Sequence, residues 1–238
     1  MSNSSLVSFT KLSPNHSGRR KYPISRITPH CVVGQCSVER LGEIFAMPSR
    51  KASCQYGIGY DGRVGMYVEE KNRSWCSSSW DNDQKAVTIE CASDVSHPYA
   101  FNDAVYAKLI DLCVDICKRN KKTKLLWLGD KTKTLNYKAA DNEMLLTVHR
   151  WFASKSCPGD WMYARMGDLA EKVTAKLSST TSTAKTTTKA KTTSSSAKKS
   201  VEEIAKEVIK GKWGNGEEYE MTTYVMDNDV ECVVHADY

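Results

Sequence analysis

At 238 residues the chain is long enough for one well-buried domain with an appendage. Its 40% hydrophobic and 26% charged residues are ordinary for a globular protein, and no apolar run approaches the roughly 20 residues that cross a bilayer, which excludes a membrane-spanning helix. The net charge of +6 suits an acidic polymer, whether nucleic acid or an anionic cell wall, without choosing between them.

The amino terminus, MSNSSLVSFTKLSPNHSGRRKYP, has no continuous apolar stretch between a basic start and a small-residue cleavage site. It does not read as a secretory signal, so the expectation is a protein held in the cytoplasm where it is made until something else releases it. A strand is predicted at 24–30, after which Ser37 can cap a helix with Val38, Leu41, Ile44 and Phe45 on one face. Strands at 56–60 and 63–68 flank Asp61-Gly62, a hairpin turn that needs positive φ. Another strand is predicted at 86–91. A helix follows Asn102, with Val105, Leu109, Leu112, Cys113 and Ile116 recurring at three and four. A strand at 124–127 and a helix from about 161 to 177, burying Met162, Met166, Leu169 and Val173, complete the set. This alternation predicts an α/β fold over residues 1–177, with a single mixed central sheet flanked by helices.

Residues 178–199, SSTTSTAKTTTKAKTTSSSAKK, hold no aromatic or large aliphatic side chain and read as a flexible linker. The tract carries five lysines and no acid, so part of the positive charge sits on a tether rather than on a recognition face, which weakens the nucleic-acid reading. Residues 200–238 form a third region. It opens with a short amphipathic helix, SVEEIAKEVIKGKWGNG, too small to be stable unless it packs on something.

Nine cysteines, an odd number in a chain too large to need a disulfide framework, are expected to be mostly free thiols. His30 ends the strand-like run ISRITPH, and His149 in LLTVHRW precedes the loop SKSCPGD with Cys157. Imidazole and thiolate are preferred zinc ligands, and a catalytic site needs three protein ligands plus an open position; His30, His149 and Cys157 would make such a set. By themselves, however, two histidines and one cysteine of nine are more often unrelated core or surface residues. Glu90 lies in the apolar run AVTIEC, where a carboxylate is costly to bury unless paired, bound to metal or used. An edge strand with Glu90 in water is the more ordinary arrangement. Lys155 precedes Cys157 by two, so in an extended segment both side chains point the same way, although a single lysine is usually just solvated. Cys31 beside His30, or Cys36 with His149, reads alternatively as a thiol nucleophile and its base. GIGYDGRVG lacks the lysine-serine ending of a phosphate loop, and its Asp-Gly turn explains it.

Read together, LSPNHSGRRKYPISRITPHCVVGQCSVERLGEIF, YGIGYDGRVGMYVEEKNRSWCSSS, AVTIECASD and TVHRWFASKSCPGD resemble the N-acetylmuramoyl-L-alanine amidase family of phage lysins and animal peptidoglycan recognition proteins. The likeness covers residues 1 to about 177 and includes amidases from phages of gut clostridia and their relatives. It implies the type 2 amidase fold, a zinc ion held by His30, His149 and Cys157, proton transfer by Glu90 and oxyanion stabilisation by Lys155. Some members carry a tyrosine near the metal where this chain has Cys54, a departure that leaves Glu90 with the proton-transfer role. EEIAKEVIKGKWGNGEE resembles the start of short helical cell-wall-binding repeats, after which the likeness stops; Trp213 there would contact wall sugar or pack a small core. The resemblance implies an endolysin that hydrolyses the bond between N-acetylmuramic acid and L-alanine. Its expected partner is bacterial peptidoglycan, with no nucleic acid and no membrane insertion. Two alternatives keep the fold: a peptidoglycan-binding protein that does not cut, and a regulator that binds another protein.

Overall fold

The computed structural model describes residues 2–183, 220–226 and 229–235. In chain order the elements are β1 (Val7–Thr10), β2 (His16–Arg19), β3 (Arg26–Cys31), α1 (Val38–Ala46), β4 (Tyr56–Ile58), β5 (Val64–Met66), β6 (Asn72–Ser74) and α2 (Trp80–Lys85). There follow β7 (Ala86–Cys91), α3 (Asp103–Arg119), β8 (Lys124–Leu126), α4 (Lys131–Asn136), β9 (Glu143–Leu146), α5 (Asp160–Ala164) and α6 (Met166–Thr183). Seven strands form one sheet in the order β1-β5-β4-β7-β3-β9-β8. The run from β4 to β8 is parallel, and β5 pairs antiparallel with β4. The fold is therefore α/β with a mixed central sheet flanked by helices, as the alternating patterns predict.

Local chemistry accounts for the elements that were legible. Ser37 accepts a hydrogen bond from the Arg40 amide at the start of α1, and Asn102 accepts one from Val105 at the start of α3. Gly62 takes φ +77° in the turn between β4 and β5, where a side chain would strain the backbone. The helix expected over 161–177 is two helices, broken at Arg165, whose guanidinium stacks 4.1 Å from the Trp161 ring. α6 continues through Thr183, into the tract read as a linker; the remainder of that tract, and the helix expected after it with Trp213, lie outside the described residues. The chain divides into the units Met1–Thr187 and Thr188–Tyr238. Within the second, β10 (Glu220–Met226) and β11 (Asp229–His235) pair antiparallel. No helix of the described residues is long and apolar enough to cross a membrane.

The central strands have two different faces. Ile27, Cys31, Tyr56, Ile58, Val87, Ile89 and Cys91 share the main apolar core with Leu109, Leu112 and Ile116 of α3. The residues alternating with them are Thr28, His30, Gly57, Thr88 and Glu90, which by strand geometry face the other way. Gly57 is needed there because a Cβ would stand 2.7 Å from Leu41 Cδ1 and Tyr67 Cε2. One side of the sheet is thus a conventional core, and the other carries polar groups under a layer made by α1, α2 and the loops between β5 and β7.

A second buried polar knot ties the amino terminus to α3. Glu70, fully buried, accepts two hydrogen bonds from Arg119 at 2.6 and 2.8 Å and one from the Tyr56 hydroxyl at 2.7 Å. The Tyr56 oxygen accepts in turn from the Ser4 amide at 2.9 Å. Removing one partner of such a pair leaves an uncompensated buried charge, so Arg119→Ala is expected to destabilise the protein by about 3–5 kcal/mol in denaturant unfolding. Replacing both members by apolar side chains of similar size should cost much less, which a double variant checks.

Candidate functional site

His30 and Glu90 stand side by side because β3 and β7 pair in parallel with these two residues in register. His149 arrives from the far side of β3, in the short 3-10 turn His149–Trp151 that follows β9. All three therefore gather at the carboxyl ends of parallel strands, where open α/β sheets place their ligands. Cys157 comes back from the following loop, its thiol 3.2 Å from His30 Nδ1. Donor atoms of His30, His149 and Cys157 all lie within 4.8 Å of one another, and the two imidazole centroids are 5.1 Å apart. The structure thus brings together the three residues that the sequence nominated for one site.

Glu90 is not on an edge strand. β7 lies between β4 and β3, and the Glu90 side chain is only 18% exposed, at the floor of the cleft. Its Oε1 stands 4.0 Å from His30 Nδ1 and 3.8 Å from Cys76 Sγ. Burial pushes its pKa up to about 7, opposed by the Cys76 thiol and the Arg50 charge. Burial also holds both histidines below the usual imidazole range, His30 further than His149, and raises the Cys157 thiol well above the usual cysteine range.

This donor set fits a zinc ion. Ligands around a tetrahedral zinc at about 2.0–2.3 Å stand roughly 3.3–3.8 Å apart, close to the Cys157–His30 separation. The neutral imidazoles have lone pairs to give, and a bound cation reverses the burial cost of the thiolate.

The cleft over these residues has a volume of about 850 Å³. Lys155 lies on its exposed rim, and its charge contributes to the lowered pKa of His149. Arg50, Arg73 and Trp75 also line it, and none of them was singled out from the sequence. Neither was Cys76, which touches both His30 and Glu90. Cys54 is fully buried with Leu41, Phe45 and Tyr67. Cys31 packs in the main core and, like Cys36, lines the cleft, while among the described residues the thiols within hydrogen-bonding distance of a histidine are those of Cys76 and Cys157. The cysteines with described side chains are all free.

Residues 20–160 match the family model described as N-acetylmuramoyl-L-alanine amidase, a span that includes every residue of the cleft named above. Similar solved structures include an endolysin N-acetylmuramoyl-L-alanine amidase from Clostridium intestinale (14% identity, 72% of this chain and 97% of that one, TM-score 0.44). Others are a selenomethionine AmpD derivative (19% identity, 71% and 99%, TM-score 0.47) and the Drosophila peptidoglycan recognition protein SD (20% identity, 66% and 92%, TM-score 0.48). No curated protein sequence matches the chain.

Proposed function

The chain belongs to the N-acetylmuramoyl-L-alanine amidase family, and from that premise we propose that it is a zinc-dependent peptidoglycan hydrolase. The bond cut joins the lactyl group of N-acetylmuramic acid to the L-alanine of the stem peptide. The observation that carries this reading is the juxtaposition of a largely buried carboxylate, Glu90, and the converging donors of His30, His149 and Cys157. A protein that only held the wall would need the groove but not this set.

His30, His149 and Cys157 would hold the zinc, which when bound acidifies a water and polarises the scissile carbonyl. Glu90 takes the proton from the attacking water and passes it to the leaving amine. Its carboxylate stands 4.0 Å from His30 Nδ1 in the same cleft, beside the donors that would hold that water. Lys155, on the rim two residues before Cys157, donates to the carbonyl oxygen as negative charge grows on it. Lys155→Ala is then expected to lower kcat by roughly 10²-fold, with a smaller change in KM, because the contact forms mainly in the transition state.

The same reading extends to a lytic role. An endolysin released from the host cytoplasm onto the wall would use the tail after residue 199 to hold the wall while the first unit cuts, with Trp213 as its sugar contact. The direct test is a defined muramyl peptide with products identified by mass spectrometry. A free peptide beginning with alanine, plus the intact muramic acid, is the expected pair. Cleavage within the peptide or between sugars would contradict the assignment.

A further inference from the structure

The loop joining β6 to α2 reaches both histidines. His30 presents Nδ1 to the Cys157 thiol and its other ring nitrogen, Nε2, to Cys76 Sγ at 3.4 Å. His149 presents Nε2 to Ser78 Oγ at 3.1 Å. A histidine that binds a metal through one nitrogen carries its proton on the other, and the partner of that N–H fixes both tautomer and ring direction. We infer that Cys76 and Ser78 are positioning residues that accept the Nε2–H of His30 and His149, so that each ring turns Nδ1 to the metal. This inference rests on the zinc reading above.

The hydrogen-bond inventory of the loop supports the assignment. A thiol has one weak donor and one weak acceptor. At Cys76 the sulfur accepts from His30 and its S–H points to Glu90 Oε1 at 3.8 Å, so one side chain links a ligand to the proton-transfer group. The loop is itself held from below. Asp83 accepts from the amides of Cys76 and Ser77 at 3.2 and 3.0 Å and from the Ser77 hydroxyl at 2.6 Å. Asn82 donates to both Ser77 Oγ and Thr28 Oγ1 at 3.1 Å, which fastens the loop to the strand that carries His30. Ser78 takes φ +60°, a conformation that residues other than glycine rarely adopt, where its hydroxyl meets His149. His30, Cys76 and Glu90 also have donor atoms within 4.8 Å of one another, so a direct ligand role for Cys76 is the rival to exclude.

The test is metal titration of the full chain and of Cys76→Ala, Cys76→Ser and Ser78→Ala, using zinc for affinity and cobalt for the thiolate-to-metal absorption band. Both alanine variants should bind zinc roughly 10–100-fold more weakly, with the band per bound cobalt unchanged, and Cys76→Ser should recover part of the loss. Nitrogen-15 spectra of the zinc-loaded protein should show both rings as the Nε2–H tautomer, and His30 losing that preference in Cys76→Ala. Ser78→Ala removes only a hydroxyl, so the inference stays open to refutation even if Cys76→Ala fails to fold. Unchanged affinity and tautomer in the folded variants would overturn the positioning role. Loss of band intensity in Cys76→Ala would overturn it in favour of direct ligation. Failure of the unsubstituted protein to bind either metal would remove the zinc reading, and this inference with it.

Discussion

Glu90→Gln is expected to lower turnover on peptidoglycan by roughly 10²–10⁴-fold while zinc content and the unfolding midpoint hold. Glutamine keeps the length and hydrogen-bonding oxygen of the side chain, so the contacts beside His30 and Cys76 survive. What it cannot do is exchange a proton. The carboxylate is buried in the centre of the sheet, and that burial raises its pKa from the ordinary carboxylate range. Zinc analysis of the purified variant beside its kcat separates the outcomes. Loss of zinc would make Glu90 a ligand, and full turnover would remove it from the chemistry.

Cys157→Ala is expected to yield folded protein without retained zinc and without measurable cleavage. Cys157 sits in a loop after β9, half-buried, so its loss removes one of three donors without opening the core. Cys36→Ala is the informative control because Cys36 lines the same cleft. A metal mechanism leaves that variant with its zinc and its cleavage. A thiol nucleophile at Cys36 would leave Cys36→Ala inactive, and a thiol mechanism at any of the cysteines would leave the unsubstituted enzyme indifferent to chelators.

The parts of this architecture that the sequence reveals are those where one physical demand dominates. β7 could be placed because AVTIEC is almost wholly apolar, and α3 because its buried residues recur with helical spacing behind Asn102. β2, HSGR, and β6, NRS, hold no apolar residue from which an alternation could be read, and α2, WDNDQK, has no apolar stripe because it covers the polar side of the sheet. The ordinary placement of Glu90 in water fails for the same reason. Local pattern cannot show that β7 is central, and its carboxylate is accommodated by His30 and Cys76, one from another strand and one from a loop. His30, His149 and Cys157 were nominated by residue type and resemblance, whereas Cys76 and Ser78 hide in a serine-rich stretch that resembles any turn. Their roles become visible only when the loop is folded over the histidines.

The most direct measurement is digestion of isolated Gram-positive walls by the full chain, following newly freed amino groups and reducing sugars separately, before chelation, after it, and after zinc is returned. Amino groups that appear without reducing ends, stop with the chelator and resume with zinc are the result expected of a zinc amidase. Wall binding without release of either group in any of the three conditions, or cleavage indifferent to the chelator, would contradict it.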